Sequence, residues 1–112
     1  MVLIETPTFS RQIMDLLSDD EYGEFQADLA ASPELGTLLQ GGGGIRKTRV
    51  ALPGRGKSGG ARVIYYWAVK PDLVLLLVAF AKNERTNFSP KQLAMLAKAV
   101  KEEFKHERQT IR

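Results

Sequence analysis

The spacing of apolar positions changes along this chain, and the changes mark out its elements. Val2-Leu3-Ile4-Glu5 is a short apolar run stopped by Thr6-Pro7, which predicts a strand. Phe9, Ile13, Leu16 and Leu17 then recur at helical spacing and predict a first helix from about Thr8 to Leu17. Ser18 opens the sequence S-D-D-E, a capping box with Glu21 as its reciprocal acceptor, and Asp19 and Asp20 suit the positive end of a helix. Tyr22, Phe25 and Leu29 form the buried stripe of this second helix, which should end near Ala31-Ser32-Pro33. Leu35, Leu38 and Leu39 are expected to pack under the loop that follows.

Beyond Gly41–Gly44 the period drops to two. Ile45 to Leu52 alternates and is β-branched enough for a strand. Residues 53–60, PGRGKSGG, are a turn-forming connection to a second strand over Arg62–Val69, and the two should pair as an antiparallel hairpin. Pro71-Asp72 makes a tight turn into Leu73–Ala81, whose unbroken apolar character suits a central strand buried on both faces. Ser89-Pro90-Lys91-Gln92 is another capping box, with proline at the first helical position. Leu93, Leu96, Ala97, Val100 and Phe104 supply the stripe of a C-terminal helix, and the polar tail from about Lys105 is expected to fray. The reading is α+β: a strand, two helices, three consecutive antiparallel strands and a helix, with helices packed on an antiparallel sheet.

At 112 residues with 44% hydrophobic content, one domain over residues 1–112 with one core is expected. The chain has no cysteine, so neither a disulfide nor a thiolate metal site holds it together. MVLIETPTFS lacks a basic n-region, and the longest apolar run falls far short of the roughly 20 residues of a membrane span. These features predict a cytoplasmic protein that does not engage a membrane. The glycine run Gly41–Gly44 lacks a following GK[ST] and is read as a flexible lead-in to a strand, not a phosphate loop.

Charge changes the picture. Residues 1–40 carry eight acidic residues against Arg11, a net of −7, whereas residues 41–70 carry Arg46, Lys47, Arg49, Arg55, Lys57, Arg62 and Lys70 with no acid. A one-signed segment repels itself, and an anionic partner offsets that cost. In a strand, residues two apart share a face, so Lys47 and Arg49 project together, and Arg62 shares a face with Ile64 and Tyr66. Val50 and Val63 have the opposite parity and suit the core. If the hairpin brings Arg62 near Lys47 and Arg49, three cations meet on one sheet face. Lys82 ends the next strand and lies within reach of the same region, while Arg55 and Lys57 would hook phosphates from the connecting loop. Such cations neutralise a nucleic-acid backbone. Held in place, they also stabilise charge on a phosphate attacked by the neighbouring 2′-hydroxyl of RNA.

Proton transfer is the harder requirement. The one histidine, His106, falls in the tail, and no Ser-His-Asp set, glycosidase-like carboxylate pair or metal-ligand cluster is visible, so no cofactor or metal is called for. A lysine becomes a usable base when neighbouring cations or burial lower its pKa, and Lys47 beside Arg46, Arg49 and Arg62 has that environment.

The motifs R-K-T-R-V (46–50), G-K-S-G-G-A-R-V-I-Y-Y (56–66) and A-K-N-E (81–84), between capped helices, resemble the HigB-like branch of the RelE family. These are toxins of type II toxin–antitoxin systems, and the resemblance spans about residues 18–100. It implies the RelE-type fold, cleavage of mRNA on the ribosome, and inhibition by an antitoxin encoded alongside. By position, the family's paired basic residues fall on Lys47 and Arg49, and its phosphate-binding arginine falls on Arg62. Where well-known members carry an arginine after the last strand, this chain has Asn83, and where they carry a tyrosine it has Ser89. Lys82, Asn83 and Glu84 are the substitutes that the branch implies.

The sequence therefore predicts a metal-independent, ribosome-dependent mRNA endoribonuclease with catalytic residues Lys47, Arg49, Arg62 and Lys82. Arg46, Arg55, Lys57, Tyr66, Asn83, Glu84 and Arg85 are the expected substrate- and ribosome-binding residues, and the C-terminal lysines would dock on ribosomal RNA. The partners implied are the ribosome with mRNA and a helix-turn-helix antitoxin, through which alone operator DNA would be bound. Two rivals stand beside this: a non-nuclease toxin of the same fold that binds DNA gyrase, and an RNA-binding module without chemistry.

Overall fold

The computed structural model describes residues 1–50, 60–81 and 88–111, with side chains as far as Phe104. Its elements are β1 (Val2–Glu5), α1 (Pro7–Leu16), α2 (Asp19–Ala31), β2 (Thr37–Leu38), β3 (Ile45–Val50), β4 (Ala61–Ala68), β5 (Leu73–Ala81) and α3 (Pro90–Ile111). The strands form one sheet in the order β1-β5-β4-β3-β2. The architecture is α+β, as the sequence predicts, with β3, β4 and β5 as consecutive antiparallel neighbours.

Helix starts follow the local chemistry closely. Thr6 caps α1 by accepting from the Phe9 amide at 3.0 Å, and its hydroxyl donates to the Leu77 carbonyl at 2.7 Å. Pro7 occupies the first turn, where its missing N–H costs nothing. At α2 both halves of the capping box form: the Glu21 amide donates to Ser18 Oγ at 3.2 Å, and the Ser18 amide donates to Glu21 Oε1 at 2.8 Å. The second box, Ser89 with Gln92, forms in the same way at 2.9 and 3.1 Å and starts α3. Each cap stabilises its helix by about 1 kcal/mol.

The structure departs from the sequence reading in three places. First, β1 runs parallel to β5, Val2 beside Leu73 through Glu5 beside Leu76, so the sheet is mixed and not antiparallel throughout. Apolar patterning marks a strand but carries no information on pairing direction when the partner is seventy residues away. Second, β2 pairs with β3, Thr37 opposite Lys47 and Leu38 opposite Arg46, which two residues cannot announce by alternation. Leu35 and Leu38 are consequently exposed, and of the three leucines only Leu39 joins a core cluster.

Third, Gly41–Gly44 is no slack lead-in but the closure of the β2–β3 hairpin. Gly41, Gly43 and Gly44 have φ of +81°, +66° and +103°, and the Gly42 amide donates to the Leu39 carbonyl at 3.0 Å. Side chains rarely tolerate such φ values, which is why glycine fills the turn. Helix α3 continues to Ile111.

Two cores lie on opposite faces of the sheet. On one face α1 and α2 cover Val63, Tyr65, Val74, Leu76 and Ala79, with Phe9 and Leu29 fully buried beneath them. On the other, Leu96, Ala97, Val100 and Phe104 of α3 cover Ile45, Ile64, Leu75 and Leu77. Val50 and Val63 both fall in the first core, as their parity predicts. β5 supplies side chains to both, which explains its unbroken apolar sequence. A bulge opposite Ile64/Tyr65 shifts its register, so Leu77 and Val78 both fall on the α3 side. Each fully buried large aliphatic or aromatic side chain contributes about 1.5–3 kcal/mol. Among the described residues, no helix is long and apolar enough to cross a membrane.

Candidate functional site

The register of β3 against β4 builds the site. Arg49 lies directly opposite Arg62, and Lys47 directly opposite Ile64. Directly paired residues share a face with their Cβ atoms about 4.5–5.5 Å apart, and residues two apart along a strand share that face too. Lys47, Arg49 and Arg62 therefore project from the same side of the sheet, the side that carries α3. The rows continue onto β5, where Arg62 pairs with Phe80 and Ile64 pairs with Val78. Three neighbouring strands thus present the row Arg49–Arg62–Phe80, and beside it Lys47–Ile64–Val78.

Burial falls off across these rows. Phe80 and Ile64 are core residues, Arg62 and Lys47 are half-buried, and Arg49 is exposed. The cations sit where the apolar cover of α3 gives way. Among the described residues, Arg62 Nη1 has a long contact of 3.4 Å to its own neighbour's carbonyl, that of Ala61. Burial, and then the adjacent Arg49 guanidinium, pull the Arg62 pKa below its usual value. Among the described residues neither Arg49 nor Arg62 is paired with a carboxylate. Two guanidinium groups held across a strand pair, with no carboxylate partner among the described residues, form a site that favours an external anion.

Tyr66 shares this face. It pairs with Ile45, its ring packs edge-on against Phe104 at 5.7 Å, and it lies one row from Lys47. Arg46 has the opposite parity and does not join the cluster. Its Nη1 donates to the carbonyls of Glu34 at 3.1 Å and Gly36 at 2.7 Å on the other face. Lys82, Asn83, Glu84, Arg85, Arg55 and Lys57 lie outside the described residues, as does the side chain of His106.

The structure also brings in a residue that the sequence reading treats only as a strand aromatic. Tyr65 is fully buried, its hydroxyl donates to the Pro33 carbonyl at 2.7 Å, and it accepts from the Gly36 amide at 2.9 Å. With Arg46 it clamps segment 33–36 onto the sheet. That segment leads directly into β2, whose Thr37 pairs with Lys47. The backbone of the candidate lysine is thus fixed on its outer side by a strand that Tyr65 and Arg46 hold in place. No local motif signals this, because the partners are main-chain groups about thirty residues away.

Chemically, this arrangement puts two guanidinium forks and a nearby amine on one sheet face. It suits a phosphodiester: forks for the non-bridging oxygens, and an amine for proton transfer at a neighbouring oxygen. A protein-family model described as the RelE toxin of the RelE/RelB toxin–antitoxin system matches residues 34–112, a span that contains every residue of this cluster.

Proposed function

The chain belongs to the RelE toxin family of toxin–antitoxin systems, and from that premise we propose that it is a ribosome-dependent endoribonuclease that cuts mRNA without a metal, of the HigB-like branch. The observation that carries this reading is the placement of Lys47, Arg49 and Arg62 on one sheet face, with Arg49 directly across from Arg62.

In this reading Arg62 grips the scissile phosphate through two N–H groups and stabilises the charge that builds on its oxygens. Lys47 takes the proton of the 2′-hydroxyl. The 2′-oxygen attacks phosphorus, the bond from phosphorus to the 5′-oxygen breaks, and Arg49 or Lys82 assists the departing oxygen as it gains a proton. The products are a 2′,3′-cyclic phosphate, or the 3′-phosphate formed by its hydrolysis, and a 5′-hydroxyl. The described part of the site contains no histidine, so its acid–base groups are intrinsically weak. Alignment of mRNA in the ribosomal decoding site then supplies much of the rate, and free RNA is a poor substrate. Family membership implies a cognate antitoxin; that it carries a helix-turn-helix domain and covers the cations with acidic side chains belongs to the proposal.

The test is to add the protein to a translating cell-free extract and map mRNA 5′ ends. Cleavage linked to codon position is expected for the wild type, and a loss of about a hundredfold or more for Lys47→Ala and for Arg62→Ala. Intact mRNA with the wild-type protein overturns the reading, and arrest of DNA supercoiling in its place would favour the gyrase-binding alternative.

A further inference from the structure

Along β4, the sheet face that carries the cations presents three rows in succession: Arg62 opposite Arg49, Ile64 opposite Lys47, and Tyr66 opposite Ile45. Lys47 is therefore the diagonal neighbour of both Arg62 and Tyr66. Diagonal neighbours stand about 7–8 Å apart, a gap that long and aromatic side chains bridge. Ile64, the residue between Arg62 and Tyr66 on this face, is fully buried and makes a floor beneath them. The order across the face is guanidinium, amine, phenol ring.

Two contacts position the Tyr66 ring. Phe104 packs edge-on against it at 5.7 Å, and the β2–β3 turn approaches it at Gly44, where a Cβ would lie 2.9 Å from Tyr66 Cε2. The residue nevertheless stays partly exposed. Its hydroxyl makes no hydrogen bond among the described residues, in contrast to that of Tyr65, which is tied to Pro33 and Gly36. The fold thus uses the Tyr65 phenol for its own support and leaves the Tyr66 phenol to one ring contact. A partly exposed ring beside a row of cations is the combination with which proteins stack the bases of single-stranded RNA.

Consecutive ribose carbons carry the base, the 2′-hydroxyl and, through the 3′-oxygen, the phosphate. That order matches Tyr66, Lys47 and Arg62. We infer that Tyr66 is a nucleobase platform: its ring stacks on the base of the nucleotide immediately 5′ of the phosphate held by Arg62, the nucleotide whose 2′-hydroxyl attacks. The inference rests on the nuclease reading for the roles of Lys47 and Arg62 and adds to it a subsite for a base. Phosphate contacts alone leave the strand free to slide, because they carry no information about the base. A stacked base fixes which ribose lies over the lysine, and that orientation is itself a source of rate.

The test uses two dinucleotide probes, each with 2′-deoxyribose as its 5′ sugar so that it cannot be cut. One carries adenine on that sugar and the other is abasic there. Their affinities for the full chain are measured by NMR titration for wild type, Tyr66→Leu and Tyr66→Phe, with each variant's stability read from urea melts. Wild type should bind the adenine probe about fivefold or more tightly than the abasic one. Tyr66→Leu, which keeps apolar bulk but has no ring, should lose that preference, and Tyr66→Phe, which keeps the ring, should retain it. Equal binding of the two probes by wild type overturns the inference. So does a Tyr66→Leu variant that weakens both probes alike, since that is the mark of a merely structural role. Cleavage of mRNA in a translating extract is scored separately. A base preference that depends on Tyr66 in a protein that leaves mRNA intact would sink the nuclease reading and leave the platform standing. Cleavage without such a preference would sink the platform alone.

Discussion

Arg49 and Arg62 face each other directly across β3 and β4, two like charges at a position where sheets ordinarily place complementary ones. A like-charged cross-strand pair works against folding, by about 0.2–1 kcal/mol. The cost falls on the residues proposed to hold the phosphate. Replacing exposed Arg49 with glutamine should therefore raise stability by up to about 1 kcal/mol while lowering mRNA cleavage, read from urea melts and mapped mRNA ends. A stability gain with full cleavage would remove Arg49 from the site.

Arg62→Lys separates charge from shape. Lysine keeps the positive charge but replaces a planar fork with a point donor, and a phosphate gripped by two parallel N–H bonds loses one of them. Cleavage should fall about tenfold or more, less steeply than for Arg62→Ala, with stability close to wild type. Wild-type cleavage by Arg62→Lys would mean that Arg62 supplies only diffuse electrostatic attraction.

The clamp on segment 33–36 predicts a different phenotype. Tyr65→Phe removes one donated and one accepted hydrogen bond at a fully buried site and leaves the Gly36 amide without its partner. A loss of about 1–3 kcal/mol is expected in urea unfolding. Gly36→Ala should be similarly disruptive, since an added Cβ would lie 2.8 Å from Tyr65 Oη and 3.1 Å from the Lys47 carbonyl. Both changes strike β2 pairing next to Lys47, so hydrogen exchange should quicken at β2 before the β4–β5 amides respond.

How far this was legible in the sequence depends on how local each cause is. Ser18 with Glu21, and Ser89 with Gln92, announced their helices because a cap is made within four residues. The parity of Lys47, Arg49 and Arg62 was legible because a strand has a fixed period of two, and the same rule placed Val50 and Val63 in the core. Parity puts Arg46 on the opposite face from that cluster; what it could not show was that Arg46 serves carbonyls at 34 and 36 there, or that Tyr65 does the same at 33. Those roles depend on how α2 delivers the chain to the sheet edge, which is a tertiary fact. The parallel pairing of β1 escaped for a related reason: its partner is chosen by the packing of α1 and α2 and not by a turn.

Alkaline pH should act through half-buried Tyr22 and buried Tyr65. The Tyr22 hydroxyl donates to Glu5 at 2.5 Å; burial, then that hydrogen bond and the Glu5 charge, push its pKa well above the usual 10.0. Burial also raises Tyr65, outweighing the opposing effects of the Gly36 amide and Arg46. A phenol whose pKa is raised by folding contributes stability fully present below pH 10, and that stability is lost as pH climbs towards the folded-state value. The urea midpoint should hold from pH 8 to about 10 and then decline, with a shallower decline in Tyr22→Phe. A flat midpoint to pH 11 would contradict the burial argument.

The glycines of the β2–β3 turn allow a backbone cost to be separated from a contact cost. Gly43 has φ of +66° with nothing within 4 Å of an added Cβ, so Gly43→Ala should lose only the left-handed penalty of about 1–2 kcal/mol. At Gly44 the φ is +103°, and an added Cβ would stand 2.9 Å from Tyr66 Cε2. That ring packs edge-on against Phe104, so its displacement disturbs the packing of α3. Gly44→Ala should therefore cost about 1–3 kcal/mol more than Gly43→Ala, the usual range for an overpacked contact. Because Tyr66 lies one row from Lys47 on the same face, Gly44→Ala should also reduce mRNA cleavage where Gly43→Ala does not. Equal losses of stability and activity in the two variants would mean that the ring moves freely and takes no part in shaping the site.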